Sequence, residues 1–245
     1  MALLLRRRDF DRAQALEAAA RARAGRRRKR AIALYRQVLA REPRNSELHA
    51  RLAPLLAETG QTFEAWTSFR VAAKTFQRSG QPDRAFAIYR EAALYLPREY
   101  QVWQAIAHLL HQRGQAAEAV EILLEGSRHL HARWARPHAI YLLRRAREIE
   151  PWRFEVVLEL AELLAGSEQG YEAGLLLDGL AARTRGERLC RVRAAQLRAH
   201  PRPRTLWRWL QTALRPAPLP PPPPSVSEVV PLRLRRGWRR DAARG

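Results

Sequence analysis

The sequence predicts an all-α fold: a solenoid of about twelve antiparallel helices with a 54-residue, three-helix super-period, followed by a proline-rich disordered tail. Three observations predict it. Residues of like size recur 54 positions apart, as in Ala31, Ala85 and Ala139, Tyr35, Tyr89 and Leu143, or Pro43, Pro97 and Pro151. A second set keeps the spacing, with Leu52, Ile106 and Leu160, Leu56, Leu110 and Leu164, Ala65, Ala119 and Ala173, and Phe69, Leu123 and Leu177. Several columns sharing one offset are the mark of a repeat array. Within a unit, the apolar residues return at helical spacing: Leu48, Leu52, Leu55 and Leu56, then Phe63, Trp66, Phe69, Ala72, Ala73 and Phe76, then Ala85, Ile88, Tyr89, Ala92 and Leu96. No stretch alternates with period two for long enough to make a strand.

The elements follow in order. Residues 1–30 form a basic segment that leads into the first helix pair. Its apolar run, Ala2 to Leu5, is too short for a signal-peptide core, and Arg6 to Arg8 follow that run instead of preceding it. The helical array spans 12–215. Gly60, Gly80 and Gly114 fall where apolar stripes stop, as helix C-caps do, and Pro43, Pro97 and Pro151 follow the ends of third helices. Pro137 suits the first turn of its helix, where the missing amide has no partner to lose. Pro54 interrupts the helix from Ser46 to Thr59 and removes one hydrogen bond. The last two helices, near 188–199 and 205–214, fit the period poorly, as a terminal cap on a stacked array does. Arg202, Arg204 and Arg208 with Trp207 and Trp209 leave two readings open: a contact for nucleic acid or anionic lipid, or Trp207 and Leu210 facing the last helix core while the arginines stay solvated.

Residues 216–224 form a polyproline linker, Pro216, Pro218 and Pro220 to Pro224, a rod reaching roughly 28 Å at about 3.1 Å per residue. Arg215 to Pro221 also matches an Arg-x-x-Pro-x-x-Pro ligand of SH3-type domains, so spacer and ligand are both open, with the spacer favoured. Residues 225–245 form a basic disordered tail.

Charge divides the chain the same way. The protein has 245 residues and a formal charge of +21, built from 45 Lys+Arg and 24 Asp+Glu, with 47% apolar residues, too apolar for a disordered polycation. Only Lys29 and Lys74 are lysines, an arginine bias typical of a GC-rich, bacterial-looking genome. Residues 1–30 carry +8, residues 31–182 are neutral, and residues 183–245 carry +13. Arginine interleaved with tryptophan in the tail, Arg235, Arg236, Trp238, Arg239 and Arg240, is a candidate basic contact for nucleic acid or anionic lipid.

Catalytic groupings are missing. The seven histidines include His108 with His111, and His129 with His131 and His138, but there is one cysteine, no His-Glu-x-x-His and no glycine-rich phosphate loop. Cys190, between Leu189 and Arg191, shares a helical stripe with Val192 and Leu197 and is read as a packed thiol. No cofactor, metal or small-molecule substrate is expected, and a non-enzyme is predicted. With one cysteine and no apolar run of roughly 18–20 residues, a soluble cytoplasmic protein is expected.

The columns resemble the tetratricopeptide repeat family. In the segment opening at Tyr100, Trp103, Ile106, Ala107 and Leu110 match the first helix, Gly114 the turn and Ala119 the small residue of the second helix. The segment from Ser46 gives Leu52, Ala53, Leu56, Gly60, Ala65, Phe69 and Ala72 at the same offsets, and that from Arg12 matches only in its second half, through Ala31, Tyr35, Val38 and Pro43. The likeness covers roughly residues 12–185. It departs from the 34-residue family period, because Gly60 to Gly80 is 20 residues and Gly80 to Gly114 is 34. With three helices per unit, equivalent helices alternate faces in a strict up-down stack, or the third helix packs crosswise as in armadillo-like solenoids.

The resemblance implies a non-enzymatic scaffold that holds a protein partner, possibly an acidic one, on the polar faces of first helices. Those faces present Gln101, Gln104, His108, His111 and Gln112 in one unit and Glu155, Glu159 and Glu162 in another. The carboxylate clamp of the family's chaperone-binding members needs asparagine on such a face. The sole asparagine, Asn45, lies outside it.

Overall fold

A computed structural model describes residues 11–130, 132–167 and 169–214. The polyproline stretch, the basic tail and Arg235, Arg236, Trp238, Arg239 and Arg240 lie outside the described residues. Twelve α-helices follow one another among those described: α1 (Arg12–Ala24), α2 (Arg28–Leu39), α3 (Ser46–Glu58), α4 (Thr62–Arg78), α5 (Pro82–Tyr95), α6 (Tyr100–Gln112), α7 (Ala116–Arg128), α8 (Arg136–Ile149), α9 (Phe154–Ala165), α10 (Gly170–Arg183), α11 (Gly186–Ala199) and α12 (Pro203–Ala213). A 3-10 turn, Arg133–Ala135, precedes α8.

Each column of the 54-residue period that supplies apolar side chains to a helix is buried in all three units, from Ala31, Ala85 and Ala139 to Phe69, Leu123 and Leu177. One continuous core results. Alanines at the crossings let neighbouring helices approach, and Tyr35, Phe69, Ile106 and Leu160 fill the space between them. Phe63 departs from the predicted stripe. It stands in the first turn of α4 and is 80% exposed, because the stripe that reaches the core starts one turn later at Ala65 and Trp66.

The helix ends are built alike. The amides of Gln61, Gln81 and Gln115 donate to the carbonyls of Leu56, Phe76 and Leu110 at 2.9, 2.9 and 3.0 Å, and Gly60, Gly80 and Gly114 before them take φ of 80°, 73° and 76°. This is the Schellman closure, which calls for a left-handed residue and hence glycine. The turn after α1 makes the same bonds, Arg27 to Ala22 at 2.8 Å, with Arg26 in the left-handed position at φ 54°. Asp11 and Asn45 cap α1 and α3 by accepting from the amides of Gln14 and Leu48 at 3.1 Å. Pro54 is buried inside α3, which continues through it to Glu58.

Packing follows the three-helix unit. Helix α4 lies along both α3 and α5, and α7 along both α6 and α8, whereas the joints α2/α3, α5/α6 and α8/α9 are slimmer. The first and third helices of a unit also touch, α3 with α5, α6 with α8 and α9 with α11. Side chains join helices two apart throughout. Arg36 of α2 pairs with Glu64 of α4, Arg84 of α5 with Glu47 of α3, Arg128 of α7 with Glu159 of α9, Arg144 of α8 with Glu172 of α10, and Arg198 of α11 with Glu162 of α9. The chain therefore forms an even layer, α2 to α10, and an odd layer, α3 to α11. The equivalent helices α3, α6 and α9 fall on alternate layers.

The pairing itself repeats. Arg36 reaches Gln61 and Glu64, and 108 residues on, Arg144 reaches Gln169 and Glu172. At the first joint, the Arg12 guanidinium and the Asn45 amide hold the Glu42 carboxyl below its ordinary range. Solvent screens exposed pairs of this kind, so they fix register more than they stabilise.

Candidate functional site: a trough along the even layer

Helices α4 and α6 flank a trough of about 720 Å³ whose floor is aromatic. Trp66 and Tyr89 meet there with ring centroids 6.0 Å apart, and the Trp66 indole donates to Gln101 Oε1 at 2.5 Å, tying α4 to α6. Tyr100 closes one end, stacked on His138 of α8 at 4.3 Å. One wall is α6, whose Gln101, Gln104, His108 and Gln112 line the trough. His111 faces the adjoining hollow between α6 and α8, which shares Gln104 and His108 with the first. Gln104 spans the two by donating from Nε2 to the Tyr141 hydroxyl at 2.7 Å. All five α6 residues singled out by sequence are thus on one continuous surface.

The opposite wall was not foreseen. Arg70, Lys74 and Arg78 follow one another at i, i+4 and i+8 along α4, so they form a single ridge, and all three are exposed. No carboxylate pairs with them among the described residues, and no acid lines this trough. On the floor, burial pushes the Tyr89 phenol above its ordinary value and the Arg70 charge partly offsets that rise. The i+4 spacing was legible in the sequence, but the pattern of unpaired charge was not.

Glu155, Glu159 and Glu162 lie elsewhere. They belong to α9 on the odd layer and are held by arginines: Glu155 by Arg153, Glu159 by Arg128 at 2.7 Å, and Glu162 by Arg198 at 2.6 Å. The structure does not bring them together with the α6 set.

No group of three or more His, Cys, Asp or Glu within metal reach occurs among the described residues. His129 stacks on Trp103 at 5.1 Å, and the Cys190 thiol lies 3.4 Å from the Thr212 carbonyl at the α11/α12 contact. No described helix is long and apolar enough to cross a membrane.

No protein-family model matches the chain, and no curated protein is similar to it. Among solved structures it is similar to a tetratricopeptide repeat protein from Parabacteroides merdae (11% identity, 82% of this chain and 90% of that one, TM-score 0.31). It is also similar to pilF of Pseudomonas aeruginosa (17%, 83% and 89%, 0.29) and to PilW, a type IV pilus biogenesis factor (16%, 81% and 90%, 0.28). The chain's own packing carries the fold: Trp103, Ile106, Ala107, Leu110 and Ala119, the family's positions, are all buried. The fold is a tetratricopeptide-like α-solenoid. What sets this tetratricopeptide-like array apart is the helix triplet, which turns the polar face of α6 and that of α9 to different layers.

Proposed function

We propose that the chain is a non-enzymatic, cytoplasmic scaffold that holds a protein partner, with an acidic, extended segment of that partner lying in the trough between α4 and α6. The observation that carries this is the uncompensated ridge Arg70, Lys74 and Arg78 facing a ladder of side-chain amides over an aromatic floor. Carboxylates pair with such cations, Gln101, Gln104 and Gln112 supply donors and acceptors for an extended backbone, and Trp66, Tyr89 and Tyr100 supply apolar contact. From Gln101 to Gln112 the α6 wall runs roughly 16 Å at about 1.5 Å per residue, enough for about five extended residues.

The test is affinity capture with the full chain, comparing the native sequence with the pair Arg70→Glu and Lys74→Glu and with Arg98→Glu as a surface control. A bound protein is expected to be lost from the pair and kept by the control. Capture that is indifferent to the pair, or that retains only nucleic acid, contradicts the proposal.

A further inference from the structure

The C-terminal end of the array carries a second surface with a different composition. Helix α12 packs on α11 without burying a single residue. Trp207 is 62% exposed, Leu206 45% and Leu214 78%; of the two readings of Trp207, packing on a core is therefore the one the structure corrects, since among the described residues no helix follows α12 to cover it. Arg204, Trp207, Gln211 and Leu214 stand at helical spacing and share one stripe, with Arg208 beside it. On α10, Tyr171 and Leu175 are 81% and 56% exposed and one turn apart. A hollow lined by Tyr171, Leu175, His200, Arg202, Thr205 and Arg208 lies between α10 and the first turns of α12, bordering that stripe at Arg208. Its one acid, Asp178, already accepts from Gln196 Nε2 at 2.6 Å. No carboxylate pairs with Arg202, Arg204 or Arg208 among the described residues.

Aliphatic, aromatic and guanidinium groups are thus displayed together, and the three have to be satisfied by one partner. Nucleic acid supplies phosphates and stacking bases but leaves Leu175 and Leu214 in water. An anionic bilayer satisfies all three: headgroup phosphates take the arginines, the interfacial zone takes Trp207 and Tyr171, and the acyl boundary takes the leucines. We infer that the C-terminal end of the array, α12 with the adjoining face of α10, is a docking surface for an anionic lipid bilayer. The helix lies on such a surface and does not cross it.

Sedimentation of the full chain with vesicles tests this, using phosphatidylcholine alone and phosphatidylcholine mixed with phosphatidylglycerol. The chain is expected to sediment with the mixed vesicles only. Trp207→Ser with Leu214→Ser should weaken partitioning roughly tenfold or more by removing insertion, and Arg204→Glu with Arg208→Glu by a similar factor through charge. Both pairs lie on an exposed stripe, so unchanged circular dichroism is expected for each. Arg70→Glu with Lys74→Glu should leave vesicle binding intact, which separates this surface from the trough. Failure to sediment overturns the inference. So does native-like binding by the Trp207/Leu214 pair, which hands the attraction to arginines elsewhere, or retention of DNA but not vesicles.

Discussion

Glu91 shows how a single side chain can work against the fold. It sits on α5, where burial pushes its carboxyl above the ordinary range, and the charge of Arg23 only partly offsets this. A carboxyl raised in the folded state favours folding below its unfolded value and loses that contribution as pH rises through the folded value. Glu91→Gln is therefore expected to raise the melting temperature at pH 7, by about 1–2 °C, with the gain closing as pH falls through the carboxylate range. Thermal unfolding between pH 4 and 8 checks it; a loss at pH 7 contradicts it. Arg26 is a second local conflict, a β-carbon residue in the left-handed place that glycine takes after α3, α4 and α6.

Between elements, α7 approaches α6 closely at Gly126. A β-carbon on Gly126 stands 2.5 Å from Trp103 Cγ and 2.7 Å from its Cβ, so the glycine is what lets the indole lie flat against α7 and donate to the Pro97 carbonyl at 2.9 Å. Gly126→Ala is expected to cost about 2 kcal/mol, overpacking outweighing alanine's helix preference of about 1 kcal/mol. Urea titration of both variants checks this: Gly174→Ala, whose β-carbon meets His200 Nε2 at 3.5 Å, should be neutral or stabilising, and a Gly126→Ala protein as stable as the native one contradicts the account. Sequence reveals the Trp103 motif but not its partner, because a glycine inside a helix shows its purpose only against the helix it touches. Periodicity made the helices, caps and core columns legible. It misplaced Phe63 because the period says which residues repeat, not where a stripe first meets a neighbour. The bonds of Arg36 to Gln61 and Glu64 and of Arg144 to Gln169 and Glu172 repeat at twice the 54-residue offset, a pairing that the apolar columns alone do not disclose.

At the scale of the molecule, three helices per unit and two layers set the arrangement of function. An odd unit sends equivalent faces to alternate sides, so the α6 face opens with α4 and α8 while the α9 acids are taken up by α7 and α11. Among the described residues, the α4 ridge of the even layer is left with cations that no carboxylate pairs, and the C-terminal end with such cations beside exposed leucines. The most direct measurement is site-specific photocrosslinking in the full chain, with the photoreactive residue at Gln104 in the trough or at Glu125 on α7 in the odd layer. Protein adducts through position 104 in an acid-rich segment, and none through 125, are the predicted result. Adducts through 125 alone, or equally through both, contradict the trough as the partner site.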